Sequence, residues 1–250
     1  MAKHATIQAV ADHVHSARLA PYVADCGNDR LRALELYKWN QQLSSEFQKV
    51  LAVTEVVLRN AIDRELRAWN QRRTTTPPGG SVHLHGPDWT TDAARPLNSL
   101  TRESRRTANK HANEAAGLRH ASHPRMGAPV DHNDLVAQLT FGVWAKILPT
   151  ADTSDSNYKQ RKILWDQAVK KAFPHRGKDP DGYGTAGRVS RLHALRNRVS
   201  HAEPLLEVNV ISRHNDALRL LGSISPEVRD WCSGLSRVIE VNRMRPLTQP

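Results

Sequence analysis

Asn28-Asp29-Arg30-Leu31-Arg32-Ala33-Leu34-Glu35-Leu36-Tyr37-Lys38-Trp39-Asn40 opens a stretch that runs to Arg73 without a proline or a glycine. Leu31, Leu34 and Tyr37 repeat at a helical spacing. Leu43, Phe47, Val50, Leu51, Leu58, Ile62, Leu66 and Trp69 carry the repeat onward. An apolar stripe of that period is the mark of an amphipathic helix packed on a core. Asn40 and Ser44 are both competent N-caps, so the pattern predicts two helices with a break near Trp39-Asn40. Glu55, Arg59 and Asn60 fall off the stripe and read as a solvated face with an i,i+4 Glu55–Arg59 pair.

Outward from this stretch, other segments repeat the helical period. Helices are expected over residues 91–122, 131–148, 157–173, 185–202, 212–222 and 226–243, with Pro149, Pro174 and Pro204 as stops. Gly142 sits inside the second of these spans, where it would mark a close contact between helices. No strand-like alternation of useful length occurs, and no internal repeat. The expected class is all-α: one domain over residues 29–245, preceded by a leading segment at 1–28 whose Ile7, Val10 and Val14 form a short helix face ended by Pro21. Residues 74–125 read as an insertion, made of a Pro/Gly-rich loop or disordered excursion at 74–90 and the basic helix after it.

The chain holds 36 Lys and Arg against 25 Asp and Glu, a net charge of +11. Such an excess favours an anionic partner, nucleic acid first among them. It is concentrated at Arg95–Arg125, where Arg102, Arg105, Arg106 and Lys110 would form a track for phosphates. The N-terminus leads into a polar stretch with no apolar core of a signal peptide, and the most apolar run, Val50 to Leu58, is too short and polar to span a bilayer. Two cysteines, Cys26 and Cys232, cannot make a disulfide framework. A cytoplasmic protein that avoids membranes is expected. His83 and His85 form an HxH pair, but no carboxylate or cysteine stands next to them in the sequence, so neither a metal nor any cofactor is expected.

One segment carries chemistry: Leu195-Arg196-Asn197-Arg198-Val199-Ser200-His201-Ala202-Glu203-Pro204. An arginine followed five positions later by a histidine occurs three times in the chain, against roughly one occurrence expected by chance. In the third copy the residue after the arginine is Asn197, against Thr107 in the first and Val189 in the second. At about 100° per residue, Val189, Leu192, Leu195, Val199 and Ala202 share the core face, and His193, Asn197 and His201 fall on the opposite one. Arg196 and His201 are then about 140° apart, so the arginine must curl toward the histidine. His201 lies in the last turn, at the negative end of the helix dipole. Histidine can serve as general acid or base, and arginine matches phosphate oxygens, which are the parts that RNA cleavage by its own 2′-OH requires. A solvated polar face is the plainer alternative.

This segment resembles the signature of the abortive-infection (Abi-like) proteins of bacteria, within the HEPN superfamily of helical ribonucleases. The superfamily's arginine, polar residue, spacer and histidine correspond to Arg196, Asn197 and His201. Leu36-Tyr37-Lys38-Trp39-Asn40 with Glu55-Val56-Val57-Leu58-Arg59-Asn60-Ala61-Ile62 is similar to the family's N-terminal helices. Leu139-Thr140-Phe141-Gly142-Val143-Trp144 resembles its central helix, and Leu164-Trp165 through Ala172-Phe173-Pro174 the segment before the signature. Family members often carry a second histidine where Ala202 stands. The resemblance implies a HEPN-like bundle and a metal-independent antiphage endoribonuclease. Arg196, Asn197 and His201 would be catalytic, and Arg198, His193, Arg59 and Asn60, with the basic helix, would contact RNA. It also implies a homodimer with a composite site and, as in some relatives, restraint by an antitoxin protein or a small RNA. Members without nuclease activity exist, so an RNA-binding ribonucleoprotein component is the alternative.

Overall fold

The computed structural model describes residues 4–246, and the first three residues of the leading segment lie outside them. The chain is all-α, a single domain of eleven helices among the described residues: α1 His4–Val14, α2 Ser16–Asp25, α3 Arg30–Asn70, α4 Leu97–Gly117, α5 His132–Gln138, α6 Phe141–Ile147, α7 Tyr158–Gln167, α8 Tyr183–Ser200, α9 Val210–Ile224, α10 Pro226–Leu235 and α11 Val238–Arg243. No helix among them is long and apolar enough to cross a membrane.

The axis of the molecule is α3, one unbroken helix of 41 residues where two were expected. Asp29 caps it, its carboxylate accepting from the N–H groups of Leu31 and Arg32 at 2.9 and 3.1 Å. The buried seam runs through Ala33, Leu36, Trp39, Leu43, Phe47, Val50, Leu58, Ile62, Leu66 and Trp69. Its first turn is therefore offset from the expected stripe, and Leu31 is exposed. Asn40 does not cap a second helix. It lies fully buried within the seam, and its Oδ1 accepts from the Leu205 backbone N–H at 2.7 Å. A polar residue with an interior task was indistinguishable from a cap by propensity.

Helices α6, α8, α9 and α11 pack along α3, and α2 packs on its first turns. Pro21 does not end the leading helix but sits inside α2; the break comes at His15, whose φ is 72°. The side chain of Ile7 lies outside the described ones, and Val10 is exposed. Tyr22 is fully buried edge-on to Tyr37, so the leading segment is part of the core. Three further expected helices are each broken: 131–148 into α5 and α6 at Leu139-Thr140, 157–173 into α7 and a 3-10 turn at Val169–Ala172, and 226–243 into α10 and α11 at Ser236. The basic helix α4 is shorter than its expected span.

Residues 74–90 are neither disordered nor a plain loop. Thr74–Thr75 (β1) and His83–Leu84 (β2) pair antiparallel as a minimal hairpin. Asn70, the last residue of α3, holds the segment: its Nδ2 donates to the carbonyls of Gly86 and Asp92 at 2.6 and 2.8 Å, and its Oδ1 accepts from the Ala94 N–H.

Candidate functional site

Helix α8 presents the Arg196–His201 segment, and its start is fixed by a residue upstream of the helix. Gly182 takes the left-handed conformation at φ 74°, with Trp165 so close that a Cβ would sit 2.4 Å from the indole. The capping is done by Asp179, which accepts from Thr185 N–H and Oγ1, both at 2.7 Å, and from Gly184 N–H at 3.0 Å. Burial pushes the Asp179 carboxyl upward, but those bonds outweigh it and hold it below the usual carboxylate range. Val189, Leu192 and Leu195 are buried, as their spacing implied.

The helix ends at Ser200, so His201 is the capping residue rather than part of the last turn, and Ala202 has φ 52°. Ala202 therefore does not continue the core face. Three side chains hold the backbone here, two of them from distant positions. Arg18 Nη1 donates to the carbonyls of His201 and Ala202 at 3.3 and 2.7 Å, Arg198 Nη2 donates to Pro204 O at 3.0 Å, and Asn40 takes the Leu205 N–H. The His201 side chain is exposed, and no hydrogen bond to its ring occurs among the described residues.

Arg196 is directed across the helix pair. Its Nε lies 3.9 Å from Glu55 Oε2 on α3, both side chains being partly buried. The expected Glu55–Arg59 pair is not formed: Arg59 Nε is 3.4 Å from Asn60 Oδ1 instead. Two segments 141 residues apart, each read separately in the sequence, thus meet at Glu55 and Arg196.

His193, one turn before Asn197, is half-buried rather than solvent-facing. Its ring stacks on Phe141 with centroids 5.9 Å apart, and Asn197 Nδ2 approaches Nε2 at 3.4 Å. Gly142 makes the approach possible, since a Cβ there would come within 3.2 Å of the imidazole. Burial, and then the Arg196 charge, hold the His193 pKa below its ordinary value. The ring is neutral near neutral pH and can accept from Asn197.

Beside His193 opens a cleft of about 450 Å³ between α6, α7 and α8, lined among others by Lys146, Arg161, Tyr183 and Ser190. Lys146 also borders a second cleft with Arg95, Asn98 and Arg102 at the start of α4. Neither Lys146 nor Arg161 stood out in the sequence: Lys146 is an isolated charge in an apolar helix, and Arg161 lies in the short basic cluster Lys159-Gln160-Arg161-Lys162 of a helix read only for its apolar face. Arg102, Arg106 and Lys110 are exposed on α4, the last 3.8 Å from Glu114. Arg105 is not available to a phosphate track. Its guanidinium is spent on the carbonyls of Trp89 and Thr90 and on Asn98 Oδ1, holding the loop before α4. Arg198 likewise faces Pro204 and Glu203, away from the Glu55–Arg196 pair.

The HxH pair does have a carboxylate partner. Asp92, beyond Gly86 and Pro87, sets Oδ2 2.9 Å from His83 Nε2 and Oδ1 2.8 Å from His85 Nδ1. Compared with protein-family models, curated proteins and solved structures, the chain finds no match in any of the three.

Proposed function

We propose that this chain is a metal-independent endoribonuclease of the HEPN type, acting in the bacterial cytoplasm in antiphage defence as a homodimer. The observation that carries this reading is the meeting of Arg196, Glu55, Asn197 and His193 at one junction of α3, α6 and α8, with His201 exposed at the end of the same helix. The +11 charge and the cationic lining shared through Lys146 by the α6–α8 cleft and the α4 cleft suit a polyanion.

In this reading His201 takes the proton from the ribose 2′-OH, and the 2′-oxygen forms a bond to phosphorus. The bond to the 5′-oxygen breaks as that oxygen is protonated by the acid, the second His201 of the dimer. Arg196 and Asn197 neutralise and orient the non-bridging oxygens as charge builds on them. The products are a 2′,3′-cyclic phosphate and a 5′-hydroxyl. An antitoxin protein or small RNA restraining the chain belongs to the same reading.

The test is incubation of the purified protein with RNA in EDTA. Cutting with cyclic-phosphate ends is expected, and His201→Ala should lose at least about 100-fold, the scale of a lost general acid or base. Folding of this exposed variant is checked by circular dichroism. Unchanged cutting in His201→Ala removes the assignment. A second reading, RNA binding without cleavage, is favoured by one specific feature: Arg196 is already paired with a carboxylate. Intact RNA that co-purifies equally with wild type and His201→Ala would select it.

A further inference from the structure

The hairpin after α3 carries a donor set that the ribonuclease reading does not use. We propose that His83, His85 and Asp92 bind a zinc ion through three protein ligands, leaving a fourth position for water. One nitrogen from each ring and one carboxylate oxygen lie within 4.8 Å of one another. His83 begins β2 and His85 directly follows it, still paired to the facing segment through its N–H to Arg73 O at 3.0 Å; side chains two residues apart in such extended chain project to the same side, which directs both rings at Asp92.

The ligands are individually positioned. His85 is buried, and its Nε2 is 2.8 Å from Thr75 Oγ1 on the paired strand, which leaves Nδ1 as the nitrogen aimed at Asp92. A second bond to the non-ligating nitrogen is the usual way in which a metal-binding imidazole is oriented. Asp92 is fixed through its own backbone, since its carbonyl accepts from Asn70 Nδ2 at 2.8 Å. The His83 ring packs edge-on to that of His85, with centroids 4.7 Å apart.

Two imidazoles and one carboxylate form a nitrogen-rich, borderline donor set that suits zinc better than calcium or magnesium. A tetrahedral zinc ion with bonds of about 2.1 Å holds its donors about 3.4 Å apart. The carboxylate oxygen that serves as ligand would move about half an ångström from the histidine nitrogen it now faces, and the second histidine nitrogen would settle at the same spacing within the 4.8 Å that the three ligand atoms already span. Side-chain rotation suffices for both. With the ion bound, the hairpin is clamped to the segment leading into α4. The site lies about 22 Å along α3 from Glu55, so it is separate from the Arg196 junction and independent of its chemistry.

The experiment uses the full chain without an affinity tag. Zinc is titrated in competition with a chromophoric chelator, and cobalt is substituted to read the ligand field. One equivalent of zinc per chain is expected, with tetrahedral-type cobalt absorption and a rise in Tm on zinc addition. His83→Ala, at an exposed ring, and Asp92→Asn should each weaken binding at least about tenfold and abolish the Tm rise. Circular dichroism verifies that both are folded. Wild-type protein that leaves all zinc with the chelator, or variants that bind zinc as wild type does, would overturn the proposal; the three residues would then be a hydrogen-bonded latch alone.

Discussion

A cationic Arg196 and a neutral His193 lie one turn apart on the same helix, and the separation of their roles follows from depth. His193 is pressed between Phe141 and Gly142, where burial disfavours the charged ring. His214 is a simpler case of the same effect. It is buried on α9, bonded to Ser236 Oγ at 2.9 Å, and burial is the cause that lowers its pKa. A histidine with a depressed folded pKa leaves stability complete above the ordinary value of 6.5. Below that value the unfolded chain takes up the proton first, so stability declines as pH falls toward the folded pKa. Urea unfolding at pH 7.5 and 5.0 should therefore give a lower free energy at pH 5.0. His214→Gln, which keeps a hydrogen-bonding group, should shrink that difference; an unchanged difference would show that His214 does not titrate in this window. The lowered carboxyls of Asp92 and Asp179 act below the ordinary aspartate value of 3.8 and leave this range untouched. At this scale the sequence identifies His193, Asn197 and His201 as one polar set. It is silent on Glu55 as the partner of Arg196, because periodicity within one helix says nothing about which residue of another helix it meets.

Element boundaries depend on what terminates each helix, and α8 is the instructive case. Proline after the signature set its end to within two residues. Its start is set by Asp179, which lies three residues before a glycine in the left-handed conformation and so escapes any pattern that looks for a cap adjoining the helix. Asp179→Ala removes three accepted bonds and should cost about 1–2 kcal/mol in urea unfolding, the range of strong N-cap losses. Asp179→Asn should cost less, since it retains an acceptor oxygen. Gly182→Ala should cost more than either, because the new methyl meets the Trp165 ring and the backbone stays at positive φ. A neutral Asp179→Ala would place the capping elsewhere. The breaks in the expected 131–148, 157–173 and 226–243 helices were hidden for a related reason. Leu139, Ala168 and Ser236 interrupt the helices with no proline or glycine at the break itself. Conversely, Asn40 and Ser44 look like a break and are not one, because the cost of burying Asn40 is offset at Oδ1 by the Leu205 N–H.

At the scale of the molecule, composition and period were enough for the all-α class, whereas the ties between distant segments were not legible. Arg18 and Asn40 help Arg198, six residues from the carbonyl it holds, to fix the turn that carries His201, yet they are 183 and 165 residues from the positions they hold. Only the folded chain brings them together, which makes the leading helices part of the support for the proposed catalytic end of α8. One chain offers a single Arg196 directed to its own Glu55 and a single exposed His201. The reaction needs a base and an acid on opposite sides of one phosphorus, and two chains would supply them from symmetric copies of the same turn. Specific activity should then fall on dilution in step with the dimer fraction measured by sedimentation. It should stay low at any concentration in a variant whose dimer is broken away from α8. Activity per chain that stays constant through the dissociation range would mean that one protomer is a complete enzyme, with the acid drawn from within it, and His193 would be the histidine to test next.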